Sequence, residues 1–249
     1  MDKSAATQFS AVYFYGTCLV DLFYPKAGMA AIQLLQRQQI EVIYPQAQSC
    51  CGQPAFNSGY RNEARDVIAA QIALFKKDLP IIVPSASCAG MIKHHWPELF
   101  ANTAAQEKVA QIAARTFELT EFLVKYLHIS LQDLGEPLQV AVHSSCSAQR
   151  QMQVAEHIHS LLQQLDNVDI QTHQYATECC GFGGTFAVKQ ADLSGAMVEA
   201  KTQHLSASGA QRVISQDCGC LMNIGGALKK HKNQLGTQHI AEFLLERTT

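Results

Sequence analysis

Short apolar runs, rich in β-branched residues, alternate along the chain with longer stretches whose apolar positions recur every three or four residues. The longer stretches predict helices with one buried face. Strands that alternate with helices are typical of a parallel sheet covered by helices, so the pattern predicts an α/β protein. The short runs predict six strands, at residues 11–16, 40–44, 80–84, 138–143, 168–173 and 211–215.

The same pattern occurs twice, and the cysteines mark the repeat. Each half contains one cysteine, then a Cys-Cys-Gly run, then a further cysteine. Equivalent cysteines lie 128, 129 and 132 residues apart, which indicates two copies of one structural unit. The first set is Cys18, Cys50, Cys51 and Cys88, and the second set is Cys146, Cys179, Cys180 and Cys220.

The two halves are predicted to meet in a short linker at residues 128–137, where Asp133 and Pro137 are typical of a turn. We therefore predict a first cysteine-rich half at residues 1–130 and a second at residues 131–249. Each half is expected to be Rossmann-like, with a small parallel sheet and flanking helices.

Composition and charge exclude several classes of protein. With 47% hydrophobic and 16% charged residues, the 249-residue chain has enough apolar side chains to fold. Its formal charge of -2 provides no general attraction to nucleic acid. No apolar run approaches the ~18 residues of a membrane helix. Asp2 beside Lys3, with no convincing cleavage site, does not fit a secretory signal. We expect no nucleic-acid partner and no membrane span.

The cysteines point to metal binding. Nine is an odd number, and adjacent cysteines are awkward for long-range disulfides, so we expect a reducing, cytoplasmic location. Ligand sites in parallel α/β units lie past the carboxyl ends of the strands, where these cysteines fall. Four thiolates per half match a 4Fe-4S cluster, and we predict one in each half. Structural zinc also takes four thiolates and stays an alternative, although its ligands usually come from closely spaced pairs.

Other polar residues lie beside the predicted sites. His143 follows a predicted strand, and could donate to a cluster sulfur, move protons or simply be hydrogen-bonded there. Ser85 and Asp217 occupy matching positions, three residues before the last cysteine of each set, and we expect them to orient the ligand loops. Cys218 has no counterpart in the first half, and packing is the favoured interpretation. Three further polar candidates near the sites are Asp21, Lys189 and Asn223.

Five segments carry a resemblance to a known family. They are Cys18-x-x-Asp21-x-x-x-Pro25, the run from Cys50 to Tyr60, Pro84-Ser85-x-Ser87-Cys88, the run from Cys179 to Ala187, and the run from Asp217 to Gly226. Together they resemble the cysteine-rich-domain (CCG) iron-sulfur oxidoreductases, in particular the lactate utilization protein A family. The CCG-containing component of heterodisulfide reductase and the glycolate oxidase iron-sulfur component are more distant relatives. The resemblance extends from about residue 11 to 245.

The resemblance implies an iron-sulfur electron-transfer subunit of a multi-component system that oxidises L-lactate to pyruvate. Its implied partners are a ferredoxin-type iron-sulfur protein and a third component, with L-lactate involved indirectly. One departure matters, because heterodisulfide reductase-like members have a Cys-x-x-Cys element where this chain has Ser85 and Asp217 at the first position. Four thiolates per half imply an ordinary cubane. A redox enzyme acting at a cluster and a zinc-stabilised scaffold without redox function are the alternatives.

Overall fold

The computed structural model describes residues 9–249, so Asp2 and Lys3 lie outside the described residues. Two four-stranded sheets form, and all their strand pairs are parallel. Their strand orders are β2-β1-β3-β4 and β6-β5-β7-β8, the same arrangement in each half. The strands are β1 Ala11–Phe14, β2 Glu41–Ile43, β3 Ile81–Val83, β4 Thr116–Glu118, β5 Leu138–Val142, β6 Val168–Gln171, β7 Arg212–Ser215 and β8 Gly236–His239.

Helices connect the strands and cover the sheets. Helices of the first half are α1 Cys18–Phe23, α2 Pro25–Arg37, α3 Gln53–Asn57, α4 Arg61–Ile72, α5 Ala86–Gly90, α6 Trp96–Leu99, α7 Gln106–Ala114 and α8 Leu119–Glu121. Those of the second half are α9 Ala155–Leu162, α10 Phe186–Lys189, α11 Ala191–Ala207, α12 Cys218–Lys230 and α13 Ile240–Arg247. Three π-helical turns complete the helical structure, at Met91–His95, Phe122–Tyr126 and Ser147–Gln151. No helix in the described range has the length and apolar character needed to cross a bilayer.

The predicted fold class is confirmed: the protein is α/β, with two repeated halves. All six predicted strands are present, and their ends differ from the predicted ones by two residues or fewer. The structure adds a fourth strand to each sheet, β4 and β8, which the sequence did not indicate. Strand β1 is buried at every position, as expected for a parallel strand covered on both faces.

The two halves share one apolar core. Val12 and Phe14 of β1 belong to the same buried cluster as Val140 and Val142 of β5, and Phe243 of α13 joins it. This shared cluster packs the helices of one half against the other. The halves are therefore repeated in sequence and joined in packing. The boundary near residue 130 stays a prediction.

The amino ends of the second sheet's strands are closed by an ion pair. Arg247, at the end of α13, contacts the carboxylate of Asp133 in the linker, with an Nη2–Oδ2 distance of 2.7 Å. Both side chains are buried. The Arg247 guanidinium also donates to the carbonyl oxygen of Glu136. The opposite edge, past the carboxyl ends of the strands, is open and contains the cysteines.

Candidate metal centre

The first set of cysteines comes together past the ends of β1, β2 and β3. Cys18 begins α1, and the Thr17 hydroxyl accepts a hydrogen bond from the Val20 amide in the first turn. The Sγ atoms of Cys18 and Cys50 are 3.8 Å apart, and those of Cys51 and Cys88 are 3.4 Å apart. The structure thus brings together all four predicted thiols of the first half.

The second set repeats this arrangement past β5, β6 and β7. Cys146 and Cys179 are close enough to shift each other's pKa, and so are Cys180 and Cys220. A ring nitrogen of His143 and the Sγ atoms of Cys180 and Cys220 all lie within 4.8 Å of one another. The second set is therefore assembled as predicted, with an imidazole beside it.

A left-handed glycine shapes each Cys-Cys-Gly turn. Gly52 has φ 86° and Gly181 has φ 81°, a backbone conformation that other residues rarely adopt. In this conformation the Gly52 amide donates to Cys50 Sγ, and the Gly181 amide donates to Cys179 Sγ, both at 3.4 Å. A Cβ at Gly181 would lie 2.8 Å from the backbone oxygen of Ser194. The glycines let two adjacent thiols face one site and supply a hydrogen bond to the first of them.

The two sets face a single cavity between the halves. Its volume is about 360 Å³, and all eight cysteines of both sets line it, together with Cys218. The sequence predicts one site in each half, and the structure shows that both predicted sites open onto common space. A group bound at one cysteine set would therefore face the same cavity as a group bound at the other set.

Hydrogen bonding divides the thiols of each set into donors and acceptors. The Cys18 thiol donates to Cys50, which lowers the pKa of Cys50 and raises that of Cys18. In the same way, a hydrogen bond from Cys146 lowers the pKa of Cys179 while that of Cys146 is raised. Each set thus contains one cysteine stabilised as a thiolate, the protonation state that metals bind.

A polar contact joins the two sets across the cavity. The Asp217 Oδ1 atom accepts hydrogen bonds from the hydroxyls of Ser85 and Ser87, both at 2.6 Å, and from the Ser87 amide at 3.2 Å. Next to this contact, the His239 imidazole lies 3.0 Å from the carbonyl oxygen of Pro84. Ser85 and Asp217 were predicted to orient the ligand loops, and they contact each other directly. This contact fixes the loop before Cys88 against the second half.

His143 is a buried polar residue beside the second set. It is 1% exposed, and neither ring nitrogen has a hydrogen-bond partner among the described residues. Burial lowers its pKa to about 3, with a smaller contribution from the nearby Lys201 charge, so the ring is neutral. A neutral imidazole has one N–H to donate and one nitrogen to accept. Its unpartnered nitrogens and its position beside Cys180 and Cys220 fit a group bound at these thiols.

The remaining predicted candidates have structural contacts. Asn223 donates to the carbonyl oxygen of Cys180 at 2.8 Å and so steadies the second Cys-Cys-Gly turn. Asp21 accepts from the Tyr44 hydroxyl, and the Lys189 ammonium lies over the Tyr60 ring. Cys218 is buried at the start of α12 and lines the cavity. None of these contacts requires a bound ligand.

The sequence reasoning missed one residue near the second set and misjudged another. Lys201 of α11 is fully buried, and its Nζ donates to the carbonyl oxygen of Tyr175 at 2.6 Å. Nothing in the pattern around it signals burial, because it lies within a helix of mixed polar and small residues. His157 flanks the apolar stripe of the segment that forms α9, so its position in the sequence predicts an exposed side chain, but it is only 8% exposed because it belongs to the buried face of the helix.

The donor set fits an iron-sulfur or other thiolate-bound metal group. Sulfur ligands select iron-sulfur clusters, zinc and other soft metals over magnesium or calcium. Within the described range, the strongest concentration of potential ligands is these eight thiols and His143. The unpartnered imidazole and the paired cysteine side chains fit a metal-bound state. The site is thus a candidate metal centre built from two equivalent halves.

Comparison with known proteins agrees with this description. The fold and the paired thiol sets define a cysteine-rich-domain protein, and the family model described as "CCG: Cysteine-rich domain" matches residues 12–93 and 140–225. The chain belongs to this family and, within it, to the lactate utilization protein A proteins.

Two curated relatives illustrate this relationship. The chain is 41% identical over 239 residues to Lactate utilization protein A of Geobacillus sp. (strain WCH70), covering 95% of this chain and 99% of the relative. It is 39% identical over 236 residues to Lactate utilization protein A 2 of Bacillus cereus (strain AH820), covering 94% and 97% respectively. The similarity therefore includes both halves.

A solved structure shares the fold. The crystal structure of a hypothetical protein from Helicobacter pylori superposes with a TM-score of 0.67 at 13% identity. The match covers 96% of this chain and 49% of that one, so this chain spans about half of the neighbour's length. At this identity the likeness concerns architecture alone.

Proposed function

We propose that the chain is the iron-sulfur electron-transfer subunit of a multi-component system that oxidises L-lactate to pyruvate. The observation that carries the proposal is the convergence of two four-cysteine sets on one cavity. The relatives named lactate utilization protein A supply the metabolic context. We propose a cytoplasmic location, with L-lactate itself oxidised elsewhere in the system.

Each set would hold one cluster, of the 4Fe-4S type by its ligand count. The first would be held by Cys18, Cys50, Cys51 and Cys88, and the second by Cys146, Cys179, Cys180 and Cys220. Such clusters supply one-electron transfer when bound. The chain's own contribution is to favour the thiolate form of Cys50 and Cys179, donate amide hydrogen bonds to these two sulfurs, and hold the two halves together through Asp217.

The proposed partners are a ferredoxin-type iron-sulfur protein and a third component. A subunit that only relays electrons needs a donor and an acceptor, and neither belongs to the described chain. The cavity gives a route to both sets, since Cys146 is exposed and Cys18, Cys50 and Cys179 are partly exposed. These four thiols are the points at which a partner could approach closely.

The first test is the metal content of anaerobically purified protein. Two 4Fe-4S clusters predict about eight iron and about eight acid-labile sulfide per chain, with little zinc. Cys51→Ala and Cys180→Ala should each remove about half of the iron, because each destroys one set. Cys218→Ala, a buried cysteine outside both sets, is the matched control and should keep all of it. Full iron in both set variants would contradict the assignment.

Function is tested by growth. In a bacterium lacking its own lactate utilization protein A, the parent chain and Cys218→Ala should restore growth on L-lactate, whereas Cys51→Ala and Cys180→Ala should not. The isolated chain should not oxidise lactate or reduce a disulfide with an artificial electron carrier. Turnover of either compound would instead support substrate chemistry at a cluster.

One observation favours a second candidate, a zinc-stabilised scaffold. Neighbouring thiolates in a tetrahedral site with Zn–S of about 2.3 Å are about 3.8 Å apart. The Sγ separations of 3.8 Å and 3.4 Å in the first set are close to this value. The open, shared cavity argues for the cluster proposal, since structural zinc sites are closed. Zinc without sulfide in the purified protein would establish the scaffold.

A further inference from the structure

The two Cys-Cys-Gly turns pack on equivalent helices, α4 in the first half and α11 in the second. A Cβ on Gly52 would meet the backbone oxygen of Ala64 in α4, and a Cβ on Gly181 would meet that of Ser194 in α11. Ala64 and Ser194 are therefore equivalent. Seven residues further along each helix, on the same face, lie Gln71 and Lys201.

Gln71 organises the first turn without carrying a charge. Its side chain is 1% exposed, its Oε1 accepts from the Ser49 amide and its Nε2 donates to the Ser49 hydroxyl, both at 2.8 Å. Ser49 directly precedes the first Cys-Cys-Gly run. A neutral amide thus satisfies the polar groups of this loop.

Lys201 serves the equivalent loop of the second half with a positive charge. It is 0% exposed, and its Nζ donates to the carbonyl oxygens of Tyr175 at 2.6 Å and Ala176 at 3.5 Å. It forms no ion pair with any carboxylate in the described part of the chain, although the charge of Glu178, whose carboxylate lies 3.8 Å from a ring nitrogen of His204, acts on it. The thiols of Cys179, Cys180 and Cys220 also act on its charge.

A second difference lies at the ends of the central strands. Tyr15 of the first half and His143 of the second both lie three residues before the first cysteine of their set. The Tyr15 hydroxyl is already used, because it donates to the carbonyl oxygen of Ser49 at 3.0 Å. The His143 ring has no partner among the described residues and lies beside Cys180 and Cys220. The second set therefore has an available hydrogen-bond donor that the first set lacks.

The negative charges nearby do not cancel this difference. Glu178, directly before Cys179, has a side chain that is 47% exposed, so water and salt screen its charge more than that of the buried Lys201. Asp217 precedes the last cysteine of the second set, but its Oδ1 is bound by Ser85 and Ser87 of the first half, so it lies between the two sets. Asp21, on the first half's α1, adds a negative charge there. Lys201 remains the one buried cation that distinguishes the environments of the sets within the described residues.

We propose that Lys201 makes the second set the electron-accepting site of the pair. A cluster held by the second set is reduced at a higher potential than one held by the first, because a buried positive charge stabilises the added electron. One electron leaves the first site, which is oxidised, and the second site gains it; no bond or proton is exchanged. Lys201 acts only by placing a positive charge near the second set. This inference rests on the proposed function.

The test compares proteins that each keep one set. Cys51→Ala keeps the second site and Cys180→Ala keeps the first, and both are titrated anaerobically with EPR detection. The second site should have the higher midpoint potential. Adding Lys201→Gln to Cys51→Ala should lower the equilibrium constant for reduction about tenfold, which corresponds to about 59 mV for a one-electron couple. Lys201→Arg should restore most of the shift.

The control is Lys230→Gln, which removes an exposed lysine of the same half and should leave the potential unchanged. Since Lys201→Gln could loosen α11, the converse variant Gln71→Lys in the Cys180→Ala protein gives an independent measurement and should raise the potential of the first site. Equal or inverted potentials in the two single-site proteins overturn this inference alone, as does a Lys201→Gln protein with intact iron and an unchanged potential. A parent chain without iron and sulfide overturns the proposed function and the inference with it.

Discussion

The amino ends and the carboxyl ends of the strands in this molecule differ in character. At the amino ends, the linker and α13 close the structure with a buried ion pair between Asp133 and Arg247. At the carboxyl ends, the halves separate around a cavity of about 360 Å³ lined with thiols. There polar contacts join the halves, including Ser85 with Asp217 and Ser58 with Thr185, both at 2.6 Å, beside a small apolar cluster of Ala86, Ala148 and Val154.

This difference shows how one interface can serve two purposes. The shared apolar core, which includes Phe14 and Phe243, supplies the stability of the assembled halves. Because that core holds the halves together, the carboxyl ends of the strands can leave thiols facing a cavity, with an unpartnered imidazole buried beside Cys180 and Cys220. Changes in the core should therefore alter the free energy of unfolding, and changes at the cavity should alter metal binding.

The largest expected effect comes from the shared core. Phe243→Ala removes a fully buried ring and should lower the free energy of unfolding by about 3–5 kcal/mol, measured by urea denaturation. Iron per folded chain should be unchanged. Phe23→Ala, which truncates a 62% exposed ring, is the control and should have little effect on stability. Loss of iron from folded Phe243→Ala protein would show that metal binding at the cavity depends on the shared core.

The buried ion pair should come next. Arg247→Met leaves the Asp133 carboxylate buried without its partner and should cost about 3 kcal/mol in unfolding free energy. Arg37→Met, which removes exposed hydrogen bonds to Thr248 and Thr249, should cost much less. Equal losses in the two variants would show that burial of the pair is unimportant.

The same pair predicts a pH dependence. Burial raises the pKa of Asp133, but hydrogen bonds from Arg247, Gly135 and Asn167 outweigh burial and hold it below its ordinary value. A lowered pKa in the folded state contributes stability above the unfolded pKa of about 3.9 and loses it as the pH falls through the folded value. Unfolding free energy should therefore decrease below about pH 4, with a smaller decrease in Arg247→Met.

At the cavity, the two turn glycines should differ in cost. Gly181→Ala brings a Cβ to 2.8 Å from a backbone oxygen, whereas in Gly52→Ala the nearest atom is a side-chain carbon of Ile68 at 3.0 Å and the backbone oxygen of Ala64 lies at 3.3 Å. Both also force a positive φ on alanine, so we expect losses of about 1–3 kcal/mol, larger for Gly181→Ala. Each variant should reduce iron only in its own half.

Gly195→Ala is the matched control for these glycines. It lies inside α11, and a Cβ there meets no atom within 4 Å. The substitution should raise stability by up to about 1 kcal/mol, because alanine is the better helix former. Destabilisation of similar size in all three variants would show that the turn conformation is not the cause.

The smallest effect is expected at the polar contact between the sets. Ser85→Ala removes one of three hydrogen bonds to the Asp217 carboxylate and should cost about 1–2 kcal/mol. Ser160→Ala, which removes a solvent-exposed hydrogen bond on α9, should cost less than about 0.5 kcal/mol. A change in the EPR spectrum of Ser85→Ala without loss of iron would show that the contact shapes the sites.

Repetition made much of the fold predictable from sequence. The two Cys-Cys-Gly runs, each bracketed by single cysteines, identified the halves, and β-branched runs located six strands. Strand β8 was not predicted because its sequence, Gly-Thr-Gln-His, has neither an apolar run nor alternating apolar and polar residues. Strand β4 was not predicted because it has only three residues and α8 begins directly after it. Short or polar strands depend on pairing with neighbours, which a single-sequence pattern does not contain.

The thiols of the candidate site were also predictable, whereas their surroundings were not. Cysteine type and spacing are local properties of the sequence. The common cavity depends on how the halves pack, which no local pattern specifies. Lys201 is the sharpest case, since a lysine within a helix is ordinarily exposed and only the packed structure shows its ammonium against the Tyr175 carbonyl oxygen.

The closeness of the thiols also has a consequence for how the protein is assembled in a cell. With Sγ atoms 3.4 Å apart, Cys51 and Cys88 are close enough for an oxidant to join them in a disulfide after a small adjustment. The hydrogen bond from Cys18 lowers the pKa of the neighbouring Cys50, which favours the thiolate form that oxidants attack. In a newly made chain that meets an oxidant before it meets iron and sulfide, a disulfide would thus block the thiols needed as ligands. Insertion of iron and sulfide must therefore be faster than oxidation of the cysteines. A chain whose cysteines are oxidised first needs a reductant before it can bind iron and sulfide.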